Sequence, residues 1–297
     1  MFDQRYQTFL VLVATKSYTR TAEQLFITQP AVSQQIHSLE AEIGVPLVAY
    51  RRPYLTITAA GRQLADFIQR TQAQSTRLLD DLRRPHQPRQ VSFSTTLSLS
   101  EFLAPQLVRV LQHRADYQTI NCRITNTQAA LKALQSGKSD FALIEGNFDK
   151  HAYDYQVIRR EPFVGIVAAH HPLAQRDQVT WADLTRYPLI IREQGSGSRD
   201  ILLHLAQAAN VTLADFSQTV TVNHPAAIRQ LVLANVGISF VYRSVVAQEL
   251  AAGTIRELPL TAGRVEHDLD LVYLRESFFA ADYQALAQQL HQQAGNQ

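Results

Sequence analysis

The strongest constraint on the fold is a stretch near the amino terminus, TAEQLFITQPAVSQQIHSLE, which holds two short helical patterns with almost nothing between them. In the second pattern Val32, Ile36 and Leu39 recur at helical spacing and form one apolar face. The opposite face carries Gln29, Pro30, Ser33, Gln34 and His37. Two helices joined by such a tight turn are typical of a helix-turn-helix unit.

Local signals set the ends of these helices. Ser17 and Thr19 are candidate caps for the first helix of the pair, because their hydroxyls can accept a free backbone N–H. Thr28 is the predicted cap of the second helix, and Pro30 falls in its first turn, where a missing N–H costs nothing. Gly44 is the predicted end of that helix.

A short hairpin is predicted directly after the helices. Leu47 to Ala49 and Tyr54 to Thr56 have the pattern of two strands, with Arg51 and Arg52 between them. A two-stranded wing with arginines at its tip can contact phosphate, whereas the alternative is a charged turn in solvent. The second helix of a helix-turn-helix fits the major groove, where Gln suits adenine; the alternative is a plain αα-hairpin. The candidate DNA-binding residues are Thr19, Arg20, Thr28, Gln29, Pro30, Ser33, Gln34, His37, Arg51 and Arg52.

A long helix is predicted from Ala59 to about Leu82, with Thr58 as its cap. Its apolar stripe is too long to be buried in a small amino-terminal domain, so we expect it to pack on its twin in a second chain. Packing against the rest of the same chain is the alternative. The segment PHQP, residues 85–88, ends this helix. The stripe comprises Ala60, Leu64, Phe67, Ile68, Thr71, Ser75, Leu78 and Leu82.

Charge and composition narrow the class of protein. The first 90 residues hold 11 Lys and Arg against 7 Asp and Glu, a net +4, while the remainder has a net −2. A basic amino-terminal part (residues 1–90, the head) followed by an acidic remainder (the body) favours a polyanionic partner for the head. The single Cys122 excludes a disulfide within the chain and suits a reducing cytoplasm. The start of the chain lacks the pattern of a signal peptide, and no apolar run approaches the length of a membrane span.

From Gln90 onward strands and helices alternate, which predicts α/β lobes with largely parallel sheets. A second series of elements is predicted to begin with a strand at Val164 to Ala169. The predicted domains are residues 1–58, a linker helix at 59–84 and an α/β domain at 90–297. Its first lobe would comprise about 90–161 and 268–297, and its second about 162–267.

Three junctions between a strand and a helix are rich in hydroxyl and amide groups: TTLSLS at 95–100, Asn126-Thr127, and IREQGSGSRD at 191–200. In α/β sheets, ligands bind beyond the carboxyl ends of strands, where helix starts favour anions. We therefore predict a shared cleft for a small anionic molecule, against the alternative of three ordinary capped helices. The candidate ligand-binding residues are Thr96, Ser98, Asn126, Thr127, Ser196, Ser198, Arg199 and His224, with Arg192 also considered.

The run SYTRTAEQLFITQPAVSQQIHSLEAEIGVPLV, followed by LTITAAG, resembles the LysR-type transcriptional regulators almost without gaps. In that family the groove-facing positions correspond to Gln29, Pro30, Ser33, Gln34 and His37. Gln34 and His37 replace residues that are often basic in relatives. The resemblance extends to the body, where Thr96, Ser98, Thr127, Ser196 and Ser198 match the family's effector positions and HHPLA at 170–174 matches a structural turn.

The resemblance implies a winged helix-turn-helix, a linker helix and a two-lobed, periplasmic-binding-protein-like effector domain. It implies a cytoplasmic transcription factor that binds double-stranded DNA and a small-molecule effector as a homodimer or homotetramer. No cofactor, metal ion or membrane contact is expected. An exported solute-binding protein is the alternative, against which the missing signal peptide and the basic head argue. No triad, metal set or dinucleotide loop supports an enzyme.

Overall fold

The computed structural model describes residues 3–51, 54–83, 89–114, 117–261, 263 and 265–294. The chain divides into two compact units. The first extends to Arg83 and includes residues 135–137, and the second contains the remainder. No helix in the described ranges is long and apolar enough to cross a membrane.

The first unit begins with three helices: α1 (Gln4–Thr15), α2 (Tyr18–Leu25) and α3 (Gln29–Ile43). Ser17 caps α2 by accepting the N–H of Arg20, and Thr28 caps α3 by accepting the N–H of Ala31 at 3.3 Å. Gly44 ends α3 in the left-handed conformation, φ +80°. The caps predicted at Ser17 and Thr28 and the end at Gly44 are therefore confirmed.

The wing is an antiparallel pair, β1 (Val48–Arg51) and β2 (Tyr54–Ile57), with Val48 opposite Ile57. The next helix, α4 (Ala59–Arg83), starts where Thr58 accepts the N–H of Gly61 at 2.9 Å. The predicted linker segment at residues 85–88 lies outside the described residues. One hydrophobic core joins these elements: Phe9, Leu12, Ala22, Val32, Ile36, Leu39, Leu47, Leu55, Ala65 and Ile68.

The core of the first unit buries only part of the apolar stripe of α4. Ile68 and Ala65 are buried, and Ala65 is an addition to the predicted stripe. Of the predicted stripe, Phe67 and Leu82 remain exposed in this single chain, and so does Leu79, which the predicted stripe did not include. The small unit therefore cannot cover the whole stripe, as the sequence predicted.

The second unit is built on one nine-stranded sheet in the order β4-β3-β5-β11-β6-β9-β7-β8, with β10 also pairing with β6. The strands are β3 (Arg89–Thr96), β4 (Tyr117–Thr125), β5 (Phe141–Glu145), β6 (Tyr153–Ala168), β7 (Pro188–Arg192), β8 (Gln218–Val222), β9 (Ile238–Tyr242), β10 (Ile255–Glu257) and β11 (Val265–Leu274). The helices are α5 (Leu97–Ser100), α6 (Leu103–Gln112), α7 (Thr127–Gln135), α8 (Trp181–Leu184), α9 (Gly197–Ala208), α10 (Pro225–Leu233), α11 (Ala247–Ala252) and α12 (Ala280–Ala294).

The sheet has two lobes. In the first lobe β4, β3 and β5 are parallel, and in the second β9, β7 and β8 are parallel. Each lobe has its own stacked aromatic pair at 5.5 Å between ring centroids, Phe93 with Phe141 and Trp181 with Phe240. Because these strands of each lobe are parallel, their carboxyl ends lie at the same edge of the sheet. The predicted ligand cleft would lie at this edge.

The centre of the sheet differs from the prediction of largely parallel pairing. Two long strands, β6 and β11, pair antiparallel with each other, and β6 also pairs antiparallel with β9. The predicted strand at 164–169 was too short, because β6 starts at Tyr153 and runs from the first lobe into the second. Its first half mixes buried, partly buried and exposed side chains, so it lacks the continuous apolar run of its second half.

Candidate DNA interface and ligand cleft

The outer face of α3 is polar and open. Gln29, Pro30, Gln34 and His37 are exposed, and Ser33 is half-buried. On the inner face Val32, Ile36 and Leu39 are fully buried in the core of the first unit. The buried face fixes the rotation of the helix about its axis, and this leaves the polar set directed outward.

The residues around α3 are held by local contacts. Arg20 is exposed, and its guanidinium donates to the carbonyl of Thr15 at 2.7 Å. Thr19 and Thr28 are exposed as well. The imidazole Nδ1 of His37 lies 3.5 Å from the carboxylate of Glu40. Thr19, Arg20, Thr28 and His37 are therefore all accessible to a partner of the first unit.

The carboxylate of Glu40 ties α3 to the wing, because its Oε1 accepts the N–H groups of Leu47 at 2.8 Å and Val48 at 3.1 Å. This contact fixes the start of β1 on the helix. Of the predicted wing arginines, Arg51 ends β1 and pairs with Tyr54. The side chain of Arg51 and all of Arg52 lie outside the described residues, so their contact with phosphate stays a prediction.

A buried cluster in the second unit brings together hydroxyl groups from all three predicted junctions. Thr96 ends β3 and Ser98 lies in α5, Thr127 begins α7, and Ser196 and Ser198 lie at the start of α9. All five residues are at most 5% exposed. Thr96, Ser98 and Thr127 belong to the first lobe, whereas Ser196 and Ser198 belong to the second, so the cluster lies between the lobes.

A buried carboxylate lies at the centre of this cluster. Glu145, the last residue of β5, is 1% exposed. It accepts a hydrogen bond from the hydroxyl of Thr96 and another from that of Ser198 at 3.3 Å. Burial raises the pKa of Glu145, while these hydroxyls and the nearby charge of Arg192 oppose that rise. In the described part of the chain, the carboxylate forms no ion pair.

The hydrogen bonds continue to a buried guanidinium. The hydroxyl of Ser198 lies 3.2 Å from that of Ser98, which accepts a bond from Arg192 Nη1 at 3.3 Å. Arg192 also forms a two-point ion pair with Glu193, with distances of 2.9 and 3.1 Å. Two serine hydroxyls therefore separate the carboxylate of Glu145 from the guanidinium of Arg192.

Two glycines permit the lobes to meet at this point. A Cβ atom on Gly197 would lie 2.2 Å from the carbonyl oxygen of Glu145, and one on Gly146 would lie 2.8 Å from the Cα of Gly197. The N–H of Gly197 donates to the hydroxyl of Thr127 at 3.1 Å. The start of α9 therefore contacts the end of β5 directly, backbone against backbone.

Three predicted ligand-binding residues bond to backbone groups and not to the hydroxyls of the central cluster. Asn126 caps α7 by accepting the N–H of Ala129 at 2.9 Å, and Arg199 donates to the carbonyl of Arg192 at 2.8 Å. His224 is exposed and caps α10 through Nδ1. Sequence reasoning missed Glu145, because an acid at the end of the apolar strand FALIE has no local pattern that marks it.

The histidine pair at 170–171 is part of a turn, as predicted. His171 is buried, and its Nδ1 accepts the N–H of Leu173 at 3.2 Å at the start of a 3₁₀ turn. Burial lowers the pKa of His171 and the neighbouring His170 adds to that effect. Within the described residues no group of three His, Cys, Asp or Glu side chains could hold a metal ion.

Two family models cover nearly the whole chain. Residues 4–62 match the bacterial regulatory helix-turn-helix protein of the lysR family, and residues 85–295 match the LysR substrate binding domain. The chain belongs to the LysR family. This LysR-type protein is therefore a DNA-binding transcriptional regulator with a domain for a small-molecule effector.

Curated relatives of this LysR-type regulator are also regulators of transcription. The regulator CbbR of Xanthobacter flavus is 28% identical over 82% of this chain and 74% of its own length. CysL of Bacillus subtilis is 23% identical over 92% of this chain and 91% of its own length. Both alignments extend well beyond the DNA-binding unit into the effector domain.

Solved structures support the same fold. ArgP from Mycobacterium tuberculosis has a TM-score of 0.69 at 18% identity, covering 98% of this chain and 97% of its own. The regulatory domain of CcmR from Synechocystis, solved in complex with 2-PG, has a TM-score of 0.60 at 18% identity, covering 68% of this chain and 96% of its own. At such low identity these likenesses concern the fold alone.

Proposed function

We propose that this regulator recognises its operator through the polar face of α3 and is controlled by a small molecule bound between the lobes of its second unit. The observation that carries the DNA proposal is the division of α3 into two faces. Val32, Ile36 and Leu39 are fully buried, while Gln29 and Gln34 are exposed. Exposed amides on the second helix of a helix-turn-helix can form paired hydrogen bonds with adenine in the major groove.

In this proposal residues 1–58 bind DNA, residues 59–84 link and dimerise, and residues 90–297 bind the effector. The groove-facing set also includes Pro30, Ser33 and His37. The DNA backbone is contacted by Thr19, Arg20, Thr28, Arg51 and Arg52. Phosphate contacts of this kind orient a protein on the duplex without selecting a sequence.

The effector site in this proposal is the cluster of Thr96, Ser98, Thr127, Ser196 and Ser198. Its support is that the five buried side chains come from both lobes, so a ligand among them contacts both. Such a ligand favours one arrangement of the lobes over another, which is how binding shifts a population of states. Asn126, Arg199 and His224 would then act at the margin of the site.

We further propose that the regulator assembles through α4 with a second copy of itself. Phe67, Leu79 and Leu82 are exposed along this helix and would be covered by its twin. A dimer would present two α3 helices to two half-sites of an operator. Light scattering should give at least twice the mass of one chain, and Leu82→Glu should lower that mass; a monomeric wild-type protein would contradict this assembly.

We propose that the protein acts in the cytoplasm, where its DNA partner lies, and that it regulates transcription without a catalytic role. The supporting observation is that the curated relatives CbbR and CysL are named as regulators. Fractionation of cells should find the protein with the cytoplasm, and turnover of a small molecule by the pure protein would contradict the absence of catalysis.

A salt-dependent titration tests the DNA proposal. Duplexes from upstream of the protein's own gene, and duplexes selected from a random pool, are compared with random duplex of equal length. Specific complexes are about 10³–10⁷ times tighter than non-specific ones, so a clear difference is expected at physiological salt. Equal affinity for the selected and random duplexes would contradict the proposal.

A matched pair of variants tests the effector site. Thr96→Ala removes a buried hydroxyl of the cluster, whereas Thr219→Ala removes an exposed hydroxyl on β8. A library of metabolites is first screened for molecules that change the affinity of the wild-type protein for its operator. Thr96→Ala should keep operator binding and lose the response, and Thr219→Ala should keep both. An unchanged response in Thr96→Ala would remove this residue from the site.

A further inference from the structure

We infer that the effector carries a cationic and an anionic group on one small molecule, as a free amino acid does. Its ammonium group would bind Glu145, and its carboxylate would bind Arg192 and the start of α9. The inference rests on the proposed function, because it assumes that the cleft between the lobes is the effector site.

The cationic group is indicated by the surroundings of Glu145. This carboxylate is 1% exposed, and the partners that contact it are the neutral hydroxyls of Thr96 and Ser198. A buried carboxylate is costly unless it is neutralised or paired with a cation. Since the described part of the chain provides no ion pair to Glu145, a ligand ammonium group is the partner that its position suits.

A purely anionic ligand fits this cleft poorly. Arg192 is the buried cation nearest to the cluster, and its charge is already balanced by the two-point ion pair with Glu193. With that pair formed, Glu145 sets the net charge of the site, which is zero when Glu145 is protonated and negative when it is ionised. A second anion would then repel an ionised Glu145 or require its protonation.

The anionic group is indicated at the other end of the hydroxyl chain. The ion pair with Glu193 uses Nε and Nη2 of Arg192, so Nη1 donates only to the hydroxyl of Ser98 at 3.3 Å within the described residues, a long bond that a carboxylate could replace with a stronger one. The buried hydroxyl of Ser196, at the amino end of the 12-residue α9, makes no hydrogen bond within the described residues. An unpaired, buried hydroxyl at the start of a helix is suited to a carboxylate.

The two ends are joined by the hydroxyl contact of Ser98 with Ser198, at 3.2 Å, one residue from each lobe. A zwitterion that bridges Glu145 and Arg192 would replace this contact between the lobes. Binding would then replace a direct hydrogen bond between the lobes with contacts through the ligand. The ligand's charged groups would thereby influence the relative position of the lobes.

The test uses matched sets of three molecules with the full-length protein. Each of the common L-amino acids is compared with the carboxylic acid that lacks its amino group and the amine that lacks its carboxylate, for example L-leucine, 4-methylpentanoate and 3-methylbutylamine. Titration calorimetry should find at least one amino acid that binds at least tenfold more tightly than either of its counterparts.

Variants locate the charge contacts. Glu145→Gln should weaken binding of that amino acid at least tenfold, while Glu161→Gln should leave it unchanged. Glu161 is a burial-matched control, because it is also a buried acid but contacts Arg159 and the N–H of Ser244. Circular dichroism of both variants would show that each remains folded.

Three results would overturn the inference: carboxylic acids or amines that bind as tightly as the amino acids, unchanged or stronger ligand binding in Glu145→Gln, or no binding by any amino acid. The same preparations are titrated with operator and random DNA. Specific DNA binding, together with an effector of another class that needs Thr96, would remove the inference and keep the proposed function. Loss of specific DNA binding would instead contradict the proposed function.

Discussion

The polar face of α3 and the polar cleft between the lobes differ in what their side chains already contact. On α3, Gln29 and Gln34 are exposed to solvent and available to a partner. In the cleft, Thr96, Ser198 and Glu145 are buried and hydrogen-bonded to one another. In the proposed function, the first surface meets DNA as it stands, whereas a ligand bound among the buried hydroxyls replaces hydrogen bonds that the protein makes with itself.

This difference suits the two tasks of a regulator. A rigid, exposed face needs little reorganisation to contact base edges, so its binding energy depends on which bases it meets. A cleft closed by its own side chains couples ligand binding to separation of the lobes. Three substitutions, from the largest expected effect to the smallest, test this contrast.

A substitution on the buried face of α3 should lower the free energy of unfolding far more than a substitution on its exposed face. Ile36 is fully buried in the core of the first unit, so Ile36→Ala should lower the free energy of unfolding by about 2–5 kcal/mol. Gln34→Ala, on the exposed face, should change it by less than about 0.5 kcal/mol. Urea unfolding followed by circular dichroism measures both values. Similar losses in the two variants would contradict the assignment of the faces.

Buried acids should give the second unit a stability that falls as pH rises. Burial raises the pKa of Asp270 from 3.8 to about 7. The folded state therefore holds this proton between pH 4 and 7, where the unfolded chain has lost it, so stability declines across that window. The shift corresponds to at most about 4 kcal/mol, since one pKa unit is about 1.4 kcal/mol. Asp270→Asn should flatten the decline.

A control acid separates this effect from general charge. The pKa of Asp183 is lowered to about 2 by hydrogen bonds from Thr180 and Arg176. Its contribution is present above pH 4 and is lost only as pH falls toward 2, so Asp183→Asn should leave the slope between pH 5 and 7 unchanged. Urea unfolding at several pH values measures the slopes. An Asp270→Asn protein with the wild-type slope would contradict the role of this residue.

The close contact between the lobes should not tolerate a side chain. In Gly197→Ala the new Cβ would lie 2.2 Å from a backbone oxygen of Glu145, so the backbone must move, at a cost of about 1–3 kcal/mol. Gly165→Ala is a milder control, because its new Cβ would meet side-chain atoms of Leu258 and Phe240 at 3.1 and 3.3 Å. Thermal unfolding should rank the two variants in that order. Equal melting temperatures for Gly197→Ala and wild type would contradict the closed contact.

The contrast also explains which features could be predicted from the sequence. Thr28, Pro30 and Gly44 act within a few residues of their own positions, so the ends of α3 follow from local rules. Thr96, Thr127 and Ser198 could be grouped because each lies at or soon after the carboxyl end of a strand. Glu145 could not, because its role depends on residues 49 and 53 positions away that meet it in space. The length of β6 was missed for the same reason, since its first half is defined by pairing with β11.

The most direct test of the central claim is the affinity of the Gln29→Ala protein for an operator duplex and for every single-base variant of it. Gln207→Ala, an exposed amide on α9, is the control. If the polar face of α3 recognises bases, Gln29→Ala should lose about 1–3 kcal/mol on the intact operator and become indifferent to the base at one position. An equal loss on every duplex, including random DNA, would contradict base recognition by α3.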